Sequence, residues 1–430
     1  MTPSARLSAA IDLLTAMEAT PLRPADALAN AFFRERRYIG GGDRRAISAR
    51  VWGILRHWRR LHWWIENADM QPTPRLLALA MMALEPQGRE NPDDLFTGER
   101  YAPLGLTGPE RRLYDRLRGQ DLLHPDMPRA VRLEVPDWLL PRLERTFGDA
   151  LEAELAAMEG EATLDLRVNL LKSDRPTARA ALGTEGIHAV ETTLSPWGLR
   201  VTGRLPVTSS AAFRSGLIEI QDEGSQLVVA AVGARPGMRV LDYCAGAAGK
   251  TLGMAMTMEN RGHIVACDVS EPRLEGAVRR LRRAGVHNAE RHLLVPGDRW
   301  ARRRAGSFDR VLVDAPCTGT GTWRRNPDAR LRLTERDLEE LTAKQAEILS
   351  TAATLVRPGG RLIYATCSVL REENQDRIAS FLASSPQFRR AGPEPGCGLP
   401  PDLAQDGMIA LSPLRHGTDG FFAAILERVA

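Results

Sequence analysis

The sequence predicts an α/β protein built on a doubly wound, largely parallel sheet, preceded by a small α+β unit and an all-helical N-terminal region. Three observations carry this. From Met238 to about Pro386, short apolar runs alternate with helical patterns, as consecutive βα units require. Between Leu164 and Gly203, short extended runs are punctuated by Pro and Gly. Before about residue 140, apolar residues recur at helical spacing. A chain of 430 residues accommodates two or three domains, and the pattern divides it at 1–145, 146–225 and 226–430.

Composition narrows the function classes. With 58 Lys+Arg against 54 Asp+Glu, 43% hydrophobic and 26% charged residues, the chain falls outside the fibrous, collagen-like and disordered classes. Its apolar runs fall short of the roughly 20 residues that span a bilayer, and the N-terminus lacks a signal-peptide layout, so a cytoplasmic protein without a membrane partner is expected. Five cysteines at 244, 267, 317, 367 and 397 form neither a disulfide framework nor paired zinc ligands. Free thiols and no metal are expected. The net charge of +4 is compatible with an anionic partner without demanding one. Only three basic residues are lysines: Lys172, Lys250 and Lys344.

Taken in order, the stretch 45–65 carries Ile47, Val51, Ile54, Leu55, Trp58, Leu61 and Ile65 on one face and arginines mostly elsewhere, which predicts one amphipathic helix with a basic side. Trp52, Trp58, Trp63 and Trp64 could stack on bases, but tryptophans at helical spacing face a core more often. The stretch 85–110, rich in Pro, Gly and charge, reads as a long loop. Strands at 164–170, 187–193 and 198–201 with a helix at 175–182 make the small α+β unit. Strands at 239–243, 263–267, 291–294, 308–314 and 361–366 alternate with helices at 251–259, 272–284, 334–356 and 372–382.

The chemistry gathers at the carboxyl ends of these strands, where open α/β sheets place their sites. The first ends in Cys244-Ala245-Gly246-Ala247-Ala248-Gly249-Lys250, a small-residue loop opening a helix, suited to close approach by a ligand. A P-loop would need glycine at 244, and a dinucleotide fingerprint a third glycine, so neither fits. Asp268 ends the next strand, where an acid accepts hydrogen bonds from ribose hydroxyls; capping the following helix is its alternative role. Asp298 follows the third strand and is either a ligand of the same crevice or a turn aspartate. Asp314-Ala315-Pro316-Cys317 and Tyr364-Ala365-Thr366-Cys367 end adjacent strands, so two thiols flank an aspartate beside a cofactor loop. Either cysteine alone reads as structural. Together they suit methylation at carbon 5 of cytosine, which is too electron-poor to attack a methyl donor until a thiolate adds to carbon 6. Asp314 could stabilise charge pushed into the ring, a second thiol could serve release, and Lys250 could favour a thiolate or contact the cofactor. Chemistry alone leaves open which cysteine attacks.

These motifs, with Arg324-Arg325-Asn326-Pro327-Asp328, Glu372-Glu373-Asn374, Gln221-Asp222-Glu223-Gly224 and Asp419-Gly420-Phe421-Phe422, resemble the RsmB/Fmu/Sun (NOL/NOP) family of S-adenosylmethionine-dependent RNA cytosine-5 methyltransferases, and within it the bacterial members acting on 16S ribosomal RNA. The resemblance implies a Rossmann-like class I methyltransferase sheet, a small RRM-like α+β RNA-binding subdomain and a NusB-like helical domain, with ribosomal RNA as partner. It further implies Cys367 as nucleophile, Cys317 assisting release, and a cofactor held by the loop from Cys244 to Lys250 with Asp268 on the ribose, Asp298 near the adenine and Asp314 near the methionine end. The loop departs from the family's usual Cys-Ala-Ala-Pro-Gly-Gly-Lys. If position 248 needs a positive φ, alanine there costs about 1 kcal/mol, about fivefold in affinity. The altered loop also motivates a second reading, a non-catalytic ribosome assembly factor that keeps the fold and binds RNA.

Overall fold

The computed structural model describes residues 1–84, 90–203 and 206–429. It divides into a helical unit, Met1–Glu144 with Asp149–Glu159 and Trp323–Leu333, and a second unit formed by the remainder.

In the helical unit, Thr2 caps the helix Pro3–Glu18 by accepting from the Ala5 N–H, and its apolar stripe of Leu7, Leu13 and Leu14 is fully buried. The single helix expected over 45–65 is two, Gly41–Arg56 and Trp58–Glu66, broken at His57. The break is sustained from a distance: the buried Glu134 accepts from the N–H groups of Arg59 and Arg60 at 3.0 and 2.9 Å, satisfying donors that a new helix start exposes. The expected basic side is also partly an interior. Arg60 is buried, paired to Glu159 at 2.6 Å. Trp64 is buried and Trp52, Trp58 and Trp63 pack against the same core, as helical spacing suggested. The expected long loop over 85–110 holds a short helix, Pro92–Leu95, with Leu95 and Phe96 in the core, and gives way to the helix Gly108–Leu117; residues 85–89 lie outside the described residues.

Trp323–Leu333 is stitched into this unit by paired charges and helix ends. Asp328 accepts from the Ala25 N–H, at the start of the helix Ala25–Glu35, at 3.0 Å, and the buried Arg330 donates to the carbonyl of Arg56, the last residue of Gly41–Arg56, at 2.7 Å. An anion at a helix start and a cation at a helix end both oppose the local dipole.

The second unit holds two sheets. The smaller orders β2 (Ala189–Glu191), β3 (Gly198–Val201), β1 (Leu164–Val168) and β4 (Ile218–Ile220), all antiparallel. The larger contains β5 (Arg239–Asp242), β6 (His263–Asp268), β7 (Ala289–Leu293), β8 (Phe308–Asp314), β9 (Val356–Thr366), β10 (Phe388–Arg390), β11 (Met408–Leu411) and β12 (Phe421–Arg428). Its order is β10-β12-β9-β8-β5-β6-β7, with β11 beside β12. The pairs from β9 to β7 are parallel, and β12, β10 and β11 close one side antiparallel. The largely parallel, doubly wound Rossmann-like sheet is therefore present. Because β5 pairs with both β6 and β8, the strand order reverses there, opening a crevice at the carboxyl ends of β5 and β8. No helix among the described residues is long and apolar enough to cross a membrane.

Candidate active site

The crevice begins where β5 runs into the loop Cys244–Ala248 and the helix Gly249–Thr257. Gly246 and Ala248 both take left-handed backbone, with φ of 54° and 62°. The expected strain at position 248 is thus real: Ala248 is buried and carries a methyl group in a conformation that costs about 1–2 kcal/mol for an L-residue. Asp268 accepts from the N–H groups of Gly246 and Ser270, each at 2.8 Å, so it fastens the loop and the start of the next helix. Asp242, fully buried below the loop, accepts from the Thr251 hydroxyl at 2.6 Å. Burial pushes its carboxyl up to about 7, with the Asp314 and Asp268 charges adding to the rise. Asp298 accepts from the Trp300 N–H and bonds His292 Nε2, both at 2.8 Å, and the His292 hydrogen bond holds its carboxyl low. The Cys244 thiol is pushed far up by burial and by Asp314, which leaves it unionised.

Lys250, on the first turn of the helix, donates to Asp314 Oδ2 at 2.6 Å. Burial pulls against the charge of this lysine, but the Asp314 carboxylate outweighs it and raises the ammonium above its ordinary value, within electrostatic reach of Cys367. Cys317 follows β8 and Cys367 follows β9, and their sulfurs lie 3.4 Å apart. The Cys317 thiol is raised, first by its hydrogen bond to Cys367, then by burial and the Glu373 charge. The arrangement therefore joins one thiol held protonated, a second thiol, and an ammonium–carboxylate pair at the mouths of three adjacent strands.

A family model for the 16S rRNA methyltransferase RsmB/F matches residues 229–427, and one for the RsmF/B-like ferredoxin-like domain matches residues 135–208. Over 413 residues the chain is 30% identical to the "Probable ribosomal RNA small subunit methyltransferase B" of Synechocystis sp., covering 90% of this chain and 91% of that one. The chain belongs to the RsmB/F methyltransferase family. Against the ribosomal RNA small subunit methyltransferase B of Citrobacter koseri, this family member is 34% identical over 294 residues, 68% of its own length and 66% of that relative's. The crystal structure of PH0851 superposes with a TM-score of 0.78 at 27% identity, covering 100% of this chain and 99% of that one.

Sequence reasoning missed how this RsmB/F member holds its two cysteine loops together. Glu373, fully buried, accepts from the Thr318 N–H at 2.9 Å, the Thr318 hydroxyl at 2.5 Å and Gln345 Nε2 at 2.9 Å. The Thr320 and Ser368 hydroxyls meet at 3.0 Å, and Thr320 Oγ1 also accepts from the Val369 N–H. Asn374 accepts from the Thr366 hydroxyl at 2.6 Å and donates to the Ser368 carbonyl at 2.8 Å. Behind them Gly321 and Gly420 meet so closely that a Cβ on Gly321 would stand 2.2 Å from the Gly420 carbonyl oxygen. The Glu372-Glu373-Asn374 motif was the available signal; its role needed the tertiary fold.

Proposed function

We propose that this protein methylates carbon 5 of a cytosine in ribosomal RNA, with 16S RNA the substrate class, using S-adenosylmethionine. The observation that carries the reading is the 3.4 Å approach of Cys317 and Cys367 beside the Lys250–Asp314 pair. The names of the related proteins support ribosomal RNA as the target.

The crevice suits a cationic adenosine cofactor. Asp242, Asp268 and Asp314 gather around it, and Asp242 Oδ1 has no hydrogen-bond partner among the described residues. Asp268 keeps lone pairs beyond the two amides it binds, enough to accept from ribose hydroxyls. The loop from Cys244 to Lys250, with Asp298 and Asp314, would complete the site. When bound, S-adenosylmethionine supplies an electrophilic methyl group.

The protein's own residues do the remaining work. As a thiolate, Cys367 bonds to carbon 6 of the pyrimidine, and the displaced electron pair makes carbon 5 nucleophilic. The proton shared by Lys250 Nζ and Asp314 Oδ2 compensates charge pushed into the ring. After methyl transfer, Cys317, having given its own proton to solvent, takes the carbon 5 proton as a thiolate, and the electrons left in that C–H bond form the 5,6 double bond and expel Cys367 as a thiolate. A methylation assay on ribosomal RNA with bisulfite readout tests the reaction. No 5-methylcytosine with the purified protein, and no cofactor binding at millimolar concentration, would favour the assembly-factor reading. Asp268→Ala should weaken cofactor binding by roughly 1.5–3 kcal/mol.

A further inference from the structure

Ala248 holds a left-handed backbone with no proline before it and no side-chain cap on the helix it starts. Something must hold the peptide planes around it. The Ala248 carbonyl accepts from the Leu252 N–H at 3.0 Å, which the helix itself provides. The planes on either side are held by arginines. Arg280 Nη1 donates to the Ala247 carbonyl at 2.7 Å, and Arg167 Nη1 donates to the Gly249 carbonyl at 2.9 Å. A peptide plane pinned at its oxygen has its N–H direction pinned too, because the unit is planar and trans.

The helix leaves room for one of these guanidiniums at Gly253, where a Cβ would stand 3.0 Å from Arg167 Nη1 and 2.8 Å from Val229 Cγ1. At Gly249 a Cβ would meet Arg280 Nη2 at an ordinary 3.5 Å. Both arginines are in turn anchored by the small sheet. Arg167 on β1 sits in register with Glu219 on β4 and bonds Gln221, which follows β4. Glu219 pairs with Arg280 at 3.2 Å and with Arg283 at 2.6 Å. Arg167 is fully buried, which pulls its guanidinium down to about 10, still charged at neutral pH.

We propose that Arg280 and Arg167 form a carbonyl clamp that holds the 247–250 backbone in its binding form, taking over from the conformational restraint that alanines at 247 and 248 do not supply. They are positioning residues, and the proposal rests on the S-adenosylmethionine reading above. The small antiparallel sheet thereby acquires a second task, bracing the cofactor loop through Glu219 and Gln221.

The test is a double-mutant cycle on the full-length protein, read by calorimetry with S-adenosylmethionine and, without cofactor, by hydrogen exchange of the 245–250 amides. Arg280 is partly exposed, so Arg280→Ala should fold. It should bind the cofactor about tenfold more weakly, exchange the loop amides faster, and raise KM for S-adenosylmethionine far more than it lowers kcat. Arg280→Lys, which keeps one donor, should recover part of the loss. Ala248→Gly, which adopts positive φ freely, should gain at least about threefold more affinity in the Arg280→Ala background than in the parent. Parent-like affinity and exchange in Arg280→Ala would overturn the clamp. So would strict additivity with Ala248→Gly, since the arginine would then act elsewhere. A parent protein that binds no S-adenosylmethionine would overturn the underlying reading and the clamp with it.

Discussion

The sulfurs of Cys317 and Cys367, from loops 50 residues apart in the chain, lie 3.4 Å from each other. Such proximity makes the two thiols chemically interdependent, and the proposed mechanism assigns them opposite duties. Cys367→Ala should abolish both methylation and any RNA adduct, because nothing adds to carbon 6. Cys317→Ala should leave the first bond formed and the release step crippled, giving a slow-migrating protein–RNA species on a denaturing gel. Accumulation in Cys367→Ala instead would reverse the roles, and undiminished methylation in either variant would make that thiol structural.

Glu373 joins the Cys317 loop to the segment after Cys367 through two hydrogen bonds accepted from Thr318, and accepts a third from Gln345 on the helix Glu335–Ala353. Glu373→Ala strands the Thr318 N–H in a dry site and takes from Gln345 Nε2 one of its two acceptors, the Pro316 carbonyl being the other, so unfolding in urea should show a loss of roughly 2–4 kcal/mol. Methylation should fall alongside it. Glu373→Gln keeps one acceptor and should lose less; equal stability of Glu373→Ala and the parent protein would contradict this account.

The raised Asp242 carboxyl makes stability depend on pH in a definite direction. Its folded value of about 7 exceeds the ordinary 3.8, so the folded protein binds this proton more tightly than the unfolded chain. The resulting penalty is absent below about pH 4, grows as pH rises toward 7 and is complete above it, reaching on the order of 2–4 kcal/mol. Asp242→Asn keeps an acceptor for Thr251 and does not ionise. The stability difference between variant and parent should therefore shift in the variant's favour between pH 5 and pH 8 in denaturant titrations; a constant difference would refute it.

Glu134 supports one helix start and two buried cations at once. Burial raises its carboxyl to about 7 against the pull of Arg330 and Arg60. Glu134→Ala leaves Glu159 as the remaining counter-charge of both arginines and strands the Arg59 and Arg60 N–H groups, and the helical unit should lose about 2–4 kcal/mol. Six of the eight tryptophans lie in that unit, at Trp52, Trp58, Trp63, Trp64, Trp138 and Trp323, so fluorescence-detected unfolding reports chiefly on it. An unchanged transition would show that the helix break at His57 does not depend on Glu134.

Much of the site could be read from the sequence because its signals are local. Strand β8 matches its expected bounds, and Cys317 and Cys367 follow strands whose apolar runs and flanking turns are plain. The strands β4, β10 and β11 were not anticipated; three or four residues do not establish a period. The break at His57 was invisible because its capping acid stands at position 134, and periodicity alone ran the helix through. Glu373, Arg167 and Arg280 act through contacts with residues distant in sequence, so nothing beside them in the chain announces their partners.

The inclusion of Trp323–Leu333 in the helical unit sets an order of events during synthesis. The ribosome releases the first part of that unit early, yet Asp328 and Arg330, which cap and close its helices, emerge about 170 residues later than Glu159. At 5–20 residues per second this is a wait of roughly 10–35 s. Through that interval the N-terminal helices must persist with one helix start uncapped and Glu134 short of a cation. The last-made half of the chain therefore completes the first-made unit, and a nascent chain stalled before residue 333 carries an unfinished domain for quality control to find.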